Sequence, residues 1–337
     1  MIEDFKRAGS IEEAVSLSKQ GYVFLAGGTQ VNNAAYRASE RAAARRPDPH
    51  TAEARRRGGD VQRAPVTRVV SLDGLDLGGI SRDGDECVVG AGVTLQELAD
   101  SPDVPEALRT AAGFIPTRSV RNVATVGGNV GAKRADSYVI PALIALGASA
   151  ETAEGMSSVE EYVFGEDQAL ILRFRIPAVD GACRAVKESR SHLALPVVSA
   201  AVRIAAARGA GGDAGRGPQR DAAPGAVRSA TVVAGCVAER TVRLGSVEEG
   251  LRSGELLAAG PGARGTAGAG DAGARANGAD ERGGPGSGAS GWGALEEAIA
   301  AEIEPKADFL GSTEFKRYEN AVVIADCIRS CIREAGL

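Results

Sequence analysis

The segment "RNVATVGGNVGAKRADSYVIPALIALGA", residues 121–148, places the pair Gly127-Gly128 after an apolar run and before a polar patch. A second pair, Gly27-Gly28, has the same setting in "FLAGGTQVNN", residues 24–33. Glycine permits positive φ, and successive main-chain amides in a glycine turn form a site for anions. We predict that two strand-like segments end in glycine turns whose amides clamp one pyrophosphate, without the GxGxxG spacing of a Rossmann turn. Each pair alone is more typical of an ordinary tight turn, so the prediction depends on their occurring together.

The composition argues against several classes of protein. The chain has 337 residues, which suits two domains, and its net charge is −5. Proteins that bind nucleic acids or anionic membranes usually carry the opposite charge. No apolar run approaches the roughly 18 residues that span a bilayer, and the opening "MIEDFKRAGS" lacks the pattern of a signal peptide. We therefore expect a cytoplasmic protein with no nucleic-acid partner and no membrane insertion.

The cysteines do not form a pattern typical of a metal or iron–sulfur site. The chain has five, and only Cys327 and Cys331 are close together, one helical turn apart in "ADCIRSCIRE". A lone pair at this spacing is more typical of a packed helix face than of a metal site. An iron–sulfur cluster usually takes four thiolates, several of them at short spacing. We predict no metal site in this chain.

Three segments of low complexity interrupt an otherwise globular sequence. They are rich in Ala, Arg and Gly and contain few large apolar residues, which predicts flexible surface insertions. The segments are residues 37–65, 208–226 and 258–291. We place one domain at residues 1–178 and a second at residues 183–337.

Helix and strand patterns alternate in the rest of the chain. Ser10 and Glu13 form a capping-box pattern at the start of a short helix, and "YVFLAGG", residues 22–28, predicts a buried strand that runs into a glycine turn. "ALPVVSAAVRIAAA" and "SATVVAGCVA" predict paired strands in the second domain. The pattern therefore indicates an α+β protein.

Five motifs together resemble one family. "LAGGTQV", "RNVATVGGNVG", "PALIALGA", "KESRSHLALPVVSAAV" and "DFLGSTEFKRYENAVVIADCI" are similar to segments of the FAD-binding (medium) subunit of the molybdenum hydroxylases, the xanthine dehydrogenase and carbon monoxide dehydrogenase family. The resemblance covers nearly the whole chain apart from the three insertions. It implies a two-part, PCMH-type FAD-binding domain followed by a smaller α/β C-terminal domain of the CO dehydrogenase flavoprotein type.

The resemblance also implies which residues bind the cofactor. The two glycine segments would hold the FAD diphosphate and ribityl chain, and Ile115 and Ile171 would lie near the isoalloxazine. Lys187 either lies beside the flavin or is a plain surface lysine. The implied cofactor-binding residues are Phe24, Leu25, Ala26, Gly27, Gly28, Thr29, Gln30, Val31, Ile115, Asn122, Thr125, Gly127, Gly128, Asn129, Asp136, Tyr138, Ile171 and Lys187.

One position departs from the family pattern. Relatives commonly carry "NASPAADLIPAL", in which an aspartate three residues before the proline contacts the cofactor. Alignment on Pro141 puts Tyr138 at that position, and Asp136 lies two residues earlier. Either Asp136 reaches the same atoms through a shifted loop, or Tyr138 replaces the contact.

The implied function is that of an oxidoreductase subunit. Iron–sulfur clusters pass single electrons and NAD accepts a hydride, and a flavin can connect the two. The [2Fe-2S] clusters would lie on a small partner subunit and the molybdopterin on a large one, with NAD as the acceptor. Neither His50 nor His192 lies in a motif for a covalent flavin, so we predict non-covalent FAD, and we assign no catalytic residue.

Two alternatives stay open at this point. Besides the electron-transfer subunit, the first alternative is a self-contained FAD-dependent oxidoreductase, and the second is a flavin-free structural subunit of the same kind of complex. The second alternative would account for the tyrosine at position 138.

Overall fold

The computed structural model describes residues 2–31, 66–166, 168–207, 226–258 and 293–337, and the helices and strands below are numbered within these ranges. The predicted insertions fall outside the described residues, apart from Ala226 and Ala258, and so does His50. No described helix has the length and hydropathy needed to cross a membrane.

The N-terminal part is a small parallel sheet with one helix. Its strands run in the order β1-β3-β2. The elements are β1 (Asp4–Arg7), α1 (Ile11–Lys19), β2 (Val23–Leu25) and β3 (Arg68–Ser71). Ser10 caps α1 by accepting a hydrogen bond from the Glu13 amide, as predicted, while the Glu13 carboxylate accepts from the Gly9 amide. The prediction that β2 is buried is wrong, because β2 is an edge strand and Val23 is 39% exposed.

The middle part is an antiparallel sheet that packs against short helices. Its strand order is β4-β5-β8-β6-β7. The strands are β4 (Ile80–Asp83), β5 (Glu86–Gly90), β6 (Ser149–Thr152), β7 (Gly155–Ser158) and β8 (Ile171–Ile176). The helices are α2 (Leu95–Asp100), α3 (Glu106–Gly113), α4 (Arg118–Arg121), α5 (Val126–Gly131), α6 (Val139–Ala145) and α7 (Val159–Phe164). Phe174 of β8 lies at the centre of the core between sheet and helices.

The segment around Gly127 differs from the predicted strand and turn. It consists of α4 and α5, and an isolated antiparallel bridge pairs Thr125, just before α5, with Thr94, just before α2. Thr125 caps α5 by accepting a hydrogen bond from the Gly128 amide, at 3.1 Å. The capping geometry starts a helix directly at the glycine pair, and neither Gly127 nor Gly128 has a positive φ. The prediction of a strand that ends in a glycine turn is therefore wrong here.

The C-terminal part is an antiparallel sheet with the order β12-β11-β10-β9. Its elements are β9 (Ala182–Glu188), β10 (Val198–Ala206), β11 (Val227–Gly235), β12 (Val242–Arg243), α8 (Gly245–Ser253), α9 (Glu255–Ala258), α10 (Ala294–Glu302) and α11 (Thr313–Glu334). The predicted strand pair is confirmed as β10 and β11. Helices α8, α10 and α11 cover one face, where Cys327 and Cys331 are buried in the core.

The opposite face of the C-terminal sheet packs on the middle part. Ala201 of β10 and Val233 of β11 belong to the core that surrounds α6. The predicted domain boundary at residues 178–183 covers most of the connection between β8 and β9 and the first two residues of β9. The division into two domains stays a prediction. The middle and C-terminal parts share core residues, so each part packs against the other.

Replacing Phe174 by alanine tests the central core. Phe174 has 0% exposure, and removal of a buried phenylalanine ring typically costs about 3–5 kcal/mol because a cavity remains. We expect a large fall in the denaturant midpoint measured by circular dichroism. Phe5→Ala is the matched control, since Phe5 is 59% exposed and its loss should change stability by about 0.5 kcal/mol or less. Equal effects of the two variants would contradict the assigned core.

Candidate functional site

The two glycine segments meet, although about a hundred residues separate them in sequence. A methyl group built on Gly27 would overlap the carbonyl oxygen of Val123, so the chain can pass here only without a side chain. A methyl group on Gly128 would lie 3.6 Å from Cβ of Ala26. The contact places the end of β2 against the start of α5. The predicted binding residues of the two glycine segments are therefore close to each other in space.

The first glycine segment presents main-chain donors. β2 ends at Leu25, whose carbonyl accepts a hydrogen bond from the Leu72 amide at 3.0 Å. Gly28 then adopts φ of +67°, which favours glycine. Within the described parts of the chain, the amides of Ala26, Gly27 and Gly28 donate no hydrogen bond. Such a bend of free amides suits an anionic oxygen.

The second glycine segment does not present its main-chain donors. The amides of Val126 and Gly127 donate to the carbonyls of Val93 and Ala91, each at 2.9 Å, and the Gly128 amide donates to Thr125 Oγ1. The expectation that both segments clamp a pyrophosphate through free amides is therefore corrected, because these amides already hold α5 against the protein.

The glycine at position 127 has a packing role instead. A methyl group there would lie 2.6 Å from Cβ of Ala91, so its absence lets α5 approach β5 closely. The groups of the second segment that could contact a ligand are the polar side chains of Asn122, Thr125 and Asn129. Each of these residues is at least partly exposed.

An aromatic pair with a lysine lies next to this site. Phe114 and Tyr138 pack edge to face with ring centroids 5.6 Å apart. Lys187 Nζ donates to the Phe114 carbonyl at 3.0 Å and lies 5.8 Å and 5.6 Å from the centroids of the Phe114 and Tyr138 rings. Lys187 is thus a half-buried residue that joins β9 to the end of α3, beside Ile115.

Burial shifts the acidities of this group. The pKa of Tyr138 is raised well above its ordinary value, first by burial and then by the nearby Cys236 and Asp136, so its hydroxyl stays protonated. The pKa of Lys187 is lowered by burial, against a smaller opposing effect of Glu188. Neither shift assigns a role in chemistry by itself.

Asp136 and Ile171 are both engaged within the protein. The Asp136 carboxylate accepts two hydrogen bonds from the Arg134 guanidinium, at 2.8 Å and 2.6 Å. Ile171 is buried in the core of the middle part. The structure therefore gives Asp136 a cationic partner of its own, and contact of Asp136, Tyr138 or Ile171 with a cofactor stays a prediction.

Two residues near the site were missed from the sequence. Arg121 donates through Nε to Gln96 Oε1 at 2.8 Å and through Nη1 to the Ile115 carbonyl, which fixes the segment between α3 and α4. Ser137 donates to Asn129 Oδ1 at 2.6 Å. Arg121 is the first residue of the segment 121–148, so the motif itself could have indicated it. Nothing in the sequence indicates that Ser137 forms a hydrogen bond with a residue eight positions earlier.

Part of this chain is similar to a known protein family, and the whole chain is similar to one curated protein. Residues 59–179 match the family model described as the FAD binding domain in molybdopterin dehydrogenase. The chain is 28% identical to the uncharacterized protein YgfM of Escherichia coli (strain K12), over 100% of this chain and 98% of that protein.

Two solved structures show the same fold over the full length. A chain of reconstituted CO dehydrogenase from Oligotropha carboxidovorans is 18% identical with a TM-score of 0.66, covering 99% of this chain and 100% of that one. A chain of quinoline 2-oxidoreductase from Pseudomonas putida 86 is 16% identical with a TM-score of 0.66, covering 100% and 99%. The mixed helix-and-sheet fold predicted from the sequence is confirmed.

Replacing Gly27 by alanine tests the contact between the two glycine segments. The new methyl group would overlap the Val123 carbonyl, and both partners are backbone that must move apart. Such overpacking typically costs about 1–3 kcal/mol, so we expect a lower unfolding midpoint in thermal melts. Gly78→Ala is the control, because a methyl group on Gly78 meets no described atom within 4 Å. A Gly27→Ala protein as stable as the Gly78→Ala protein would show that the segments do not touch.

Proposed function

We propose that this chain, whose residues 59–179 match the family model of the FAD binding domain in molybdopterin dehydrogenase, is the FAD-binding electron-transfer subunit of a multi-subunit molybdenum hydroxylase. The observation that carries the proposal is the contact of the two glycine segments, with free amides on one and polar side chains on the other. This arrangement supports a nucleotide site formed by residues from both.

The groups at the contact fit the parts of FAD. The amides of Ala26, Gly27 and Gly28 are donors without an internal acceptor among the described residues, and a diphosphate supplies acceptor oxygens. The side chains of Thr125 and Asn129 add donors for a diphosphate or the ribityl hydroxyls. The aromatic pair with Lys187 lies near Ile115, at the position where the resemblance puts the isoalloxazine.

This chain would bind, orient and tune the cofactor. When bound, FAD supplies the redox chemistry that exchanges single electrons for a hydride. The free amides would hold its anionic centre, and the protonated Tyr138 hydroxyl would keep a neutral surface where relatives carry an aspartate. No acid–base residue is required of the chain for this task, which agrees with assigning no catalytic residue.

The other redox centres would lie on partner subunits. The described residues contain no group of three or more His, Cys, Asp or Glu side chains that could hold a metal. All five thiols are free, and Cys327 and Cys331 are buried in a core. On the resemblance to the family, we propose a small iron–sulfur partner and a large molybdopterin partner, with NAD as the acceptor and the cytoplasm as the location.

A flavin-free structural subunit is the second candidate. It is favoured by the second glycine segment, whose amides bond within the protein, and by the pairing of Asp136 with Arg134. The two candidates differ in one measurable property, which is whether the purified chain binds FAD.

The purified chain should bind one FAD non-covalently. We expect a flavin absorption spectrum and complete release of FAD into the supernatant after acid precipitation, quantified by chromatography. Gly28→Val is the variant of choice, because valine strongly disfavours the left-handed backbone at φ +67°. It should lose most FAD while keeping the circular dichroism spectrum of the original chain. A colourless protein that takes up no FAD on reconstitution would support the structural subunit instead.

Affinity purification of the tagged full chain from its native cells should bring two companion chains. Iron and molybdenum should be present in the purified complex and absent from this chain after the subunits are separated. A chain that purifies alone and oxidises a substrate by itself would instead establish a self-contained flavoenzyme.

A further inference from the structure

A short hydrogen-bond chain lies beneath the site. Ser137, 6% exposed, donates through its hydroxyl to Asn129 Oδ1 at 2.6 Å. The amide of Ile140 donates to the same Ser137 oxygen at 3.1 Å. The chain therefore runs from the first turn of α6, through Ser137, to the side chain of Asn129 on α5.

The direction of this chain is fixed by chemistry. A backbone amide can only donate, so the Ser137 oxygen must accept from Ile140. The Ser137 proton then needs an acceptor, and within the described residues Asn129 Oδ1 is the one within reach. The 2.6 Å separation is typical of O–H···O hydrogen bonds and short for N–H···O. The Asn129 carboxamide is thus oriented with its oxygen toward Ser137 and its NH2 group away from it.

The loop that carries Ser137 is held from the other side by the C-terminal sheet. Ser199 Oγ of β10 donates to the Ser137 carbonyl at 2.7 Å, and this bond is buried. The Cys236 amide donates to the Ala135 carbonyl at 2.8 Å, and a methyl group on Gly235 would overlap that same carbonyl. Ser137 therefore has little freedom to follow Asn129 if the amide turned over.

We propose that Ser137 is a positioning residue that fixes the Asn129 carboxamide as a hydrogen-bond donor toward the flavin nucleotide. Asn129 is partly exposed, and its neighbour Gly128 lies against Ala26 of the first glycine segment. Its NH2 group donates to no other described residue. The inference rests on the proposed function. It adds Ser137, which would not contact the cofactor but would decide whether the oxygen or the NH2 group of Asn129 faces it.

The inference is tested by FAD titration of the flavin-free full chain, followed by the change in flavin fluorescence. Ser137→Ala removes the hydroxyl that donates to Asn129 Oδ1, so the Asn129 carboxamide is free to rotate. One hydrogen bond is typically worth up to about tenfold in binding, and we expect FAD affinity to fall about three- to tenfold. Ser312→Ala is the matched control, because it removes the hydroxyl that caps α11 at the Phe315 amide and should lower stability without changing FAD affinity.

Two variants of Asn129 separate positioning from a general loss of structure. In the Asn129→Ala background, Ser137→Ala should cause no further loss of affinity, because there is no amide to orient. Asn129→Asp should bind FAD more weakly than Asn129→Ala, because a carboxylate replaces the donor with negative charge. Equal losses from Ser137→Ala in both backgrounds would overturn the inference.

The outcomes also separate the inference from the proposed function. If the original chain binds FAD and Ser137→Ala binds it equally well, the positioning role of Ser137 is wrong and the proposed function stands. If the original chain binds no FAD, both are wrong.

Discussion

The close approach of Gly27 to the Val123 carbonyl is the constraint on which the site depends. Backbone meets backbone here, so any side chain at position 27 would push the parallel sheet away from the middle part. The free amides of the first segment and the polar side chains of the second lie close together only because this contact is made. The bond between the Leu25 carbonyl and the Leu72 amide holds the end of β2 in the sheet just before the approach.

The second constraint is the support that the C-terminal sheet gives to the loop before α6. Cys236 holds a left-handed backbone at φ +62°, which is uncommon for a residue with a side chain, and its amide bonds to Ala135. Gly235 makes room for the same carbonyl. The C-terminal part therefore supports the site through backbone contacts and through the side chains of Ser199 and Lys187, although its own core lies under α8, α10 and α11.

Local signals in the sequence predicted much of this fold. Ser10 was correctly predicted to cap a helix, because a capping side chain bonds to an amide within three residues. The strand pair β10 and β11 followed from long apolar runs. The prediction that β2 is buried was wrong, because its position at the sheet edge depends on the strand order, which local sequence patterns do not reveal. The helix at Gly127 was missed because the glycine pair was interpreted as a turn, whereas Thr125 starts a helix there.

The sequence predicted which two segments come together at the site, but it did not predict their hydrogen bonds. The glycine pairs identified the two segments, and the structure brings them together, yet only the first presents free amides among the described residues. The difference arises from Ala91 and Val93, which accept the amides of the second segment and lie more than thirty residues earlier. Such long-range pairings have no periodicity or motif, so local sequence patterns do not reveal them.

Near the site, a tyrosine replaces the aspartate of the family pattern without leaving an unpaired charge. Tyr138 stands where the resemblance implies a carboxylate, and burial raises the pKa of its hydroxyl, which therefore stays protonated. The nearby Asp136 is paired with Arg134, so its charge is balanced before any anion approaches. Under the proposed function, an anionic ligand would therefore meet neutral donors and the lysine beside the aromatic pair. Neutral donors bind phosphate oxygens best when they are correctly oriented, so the fixed geometry of the loop would matter more than the number of charges.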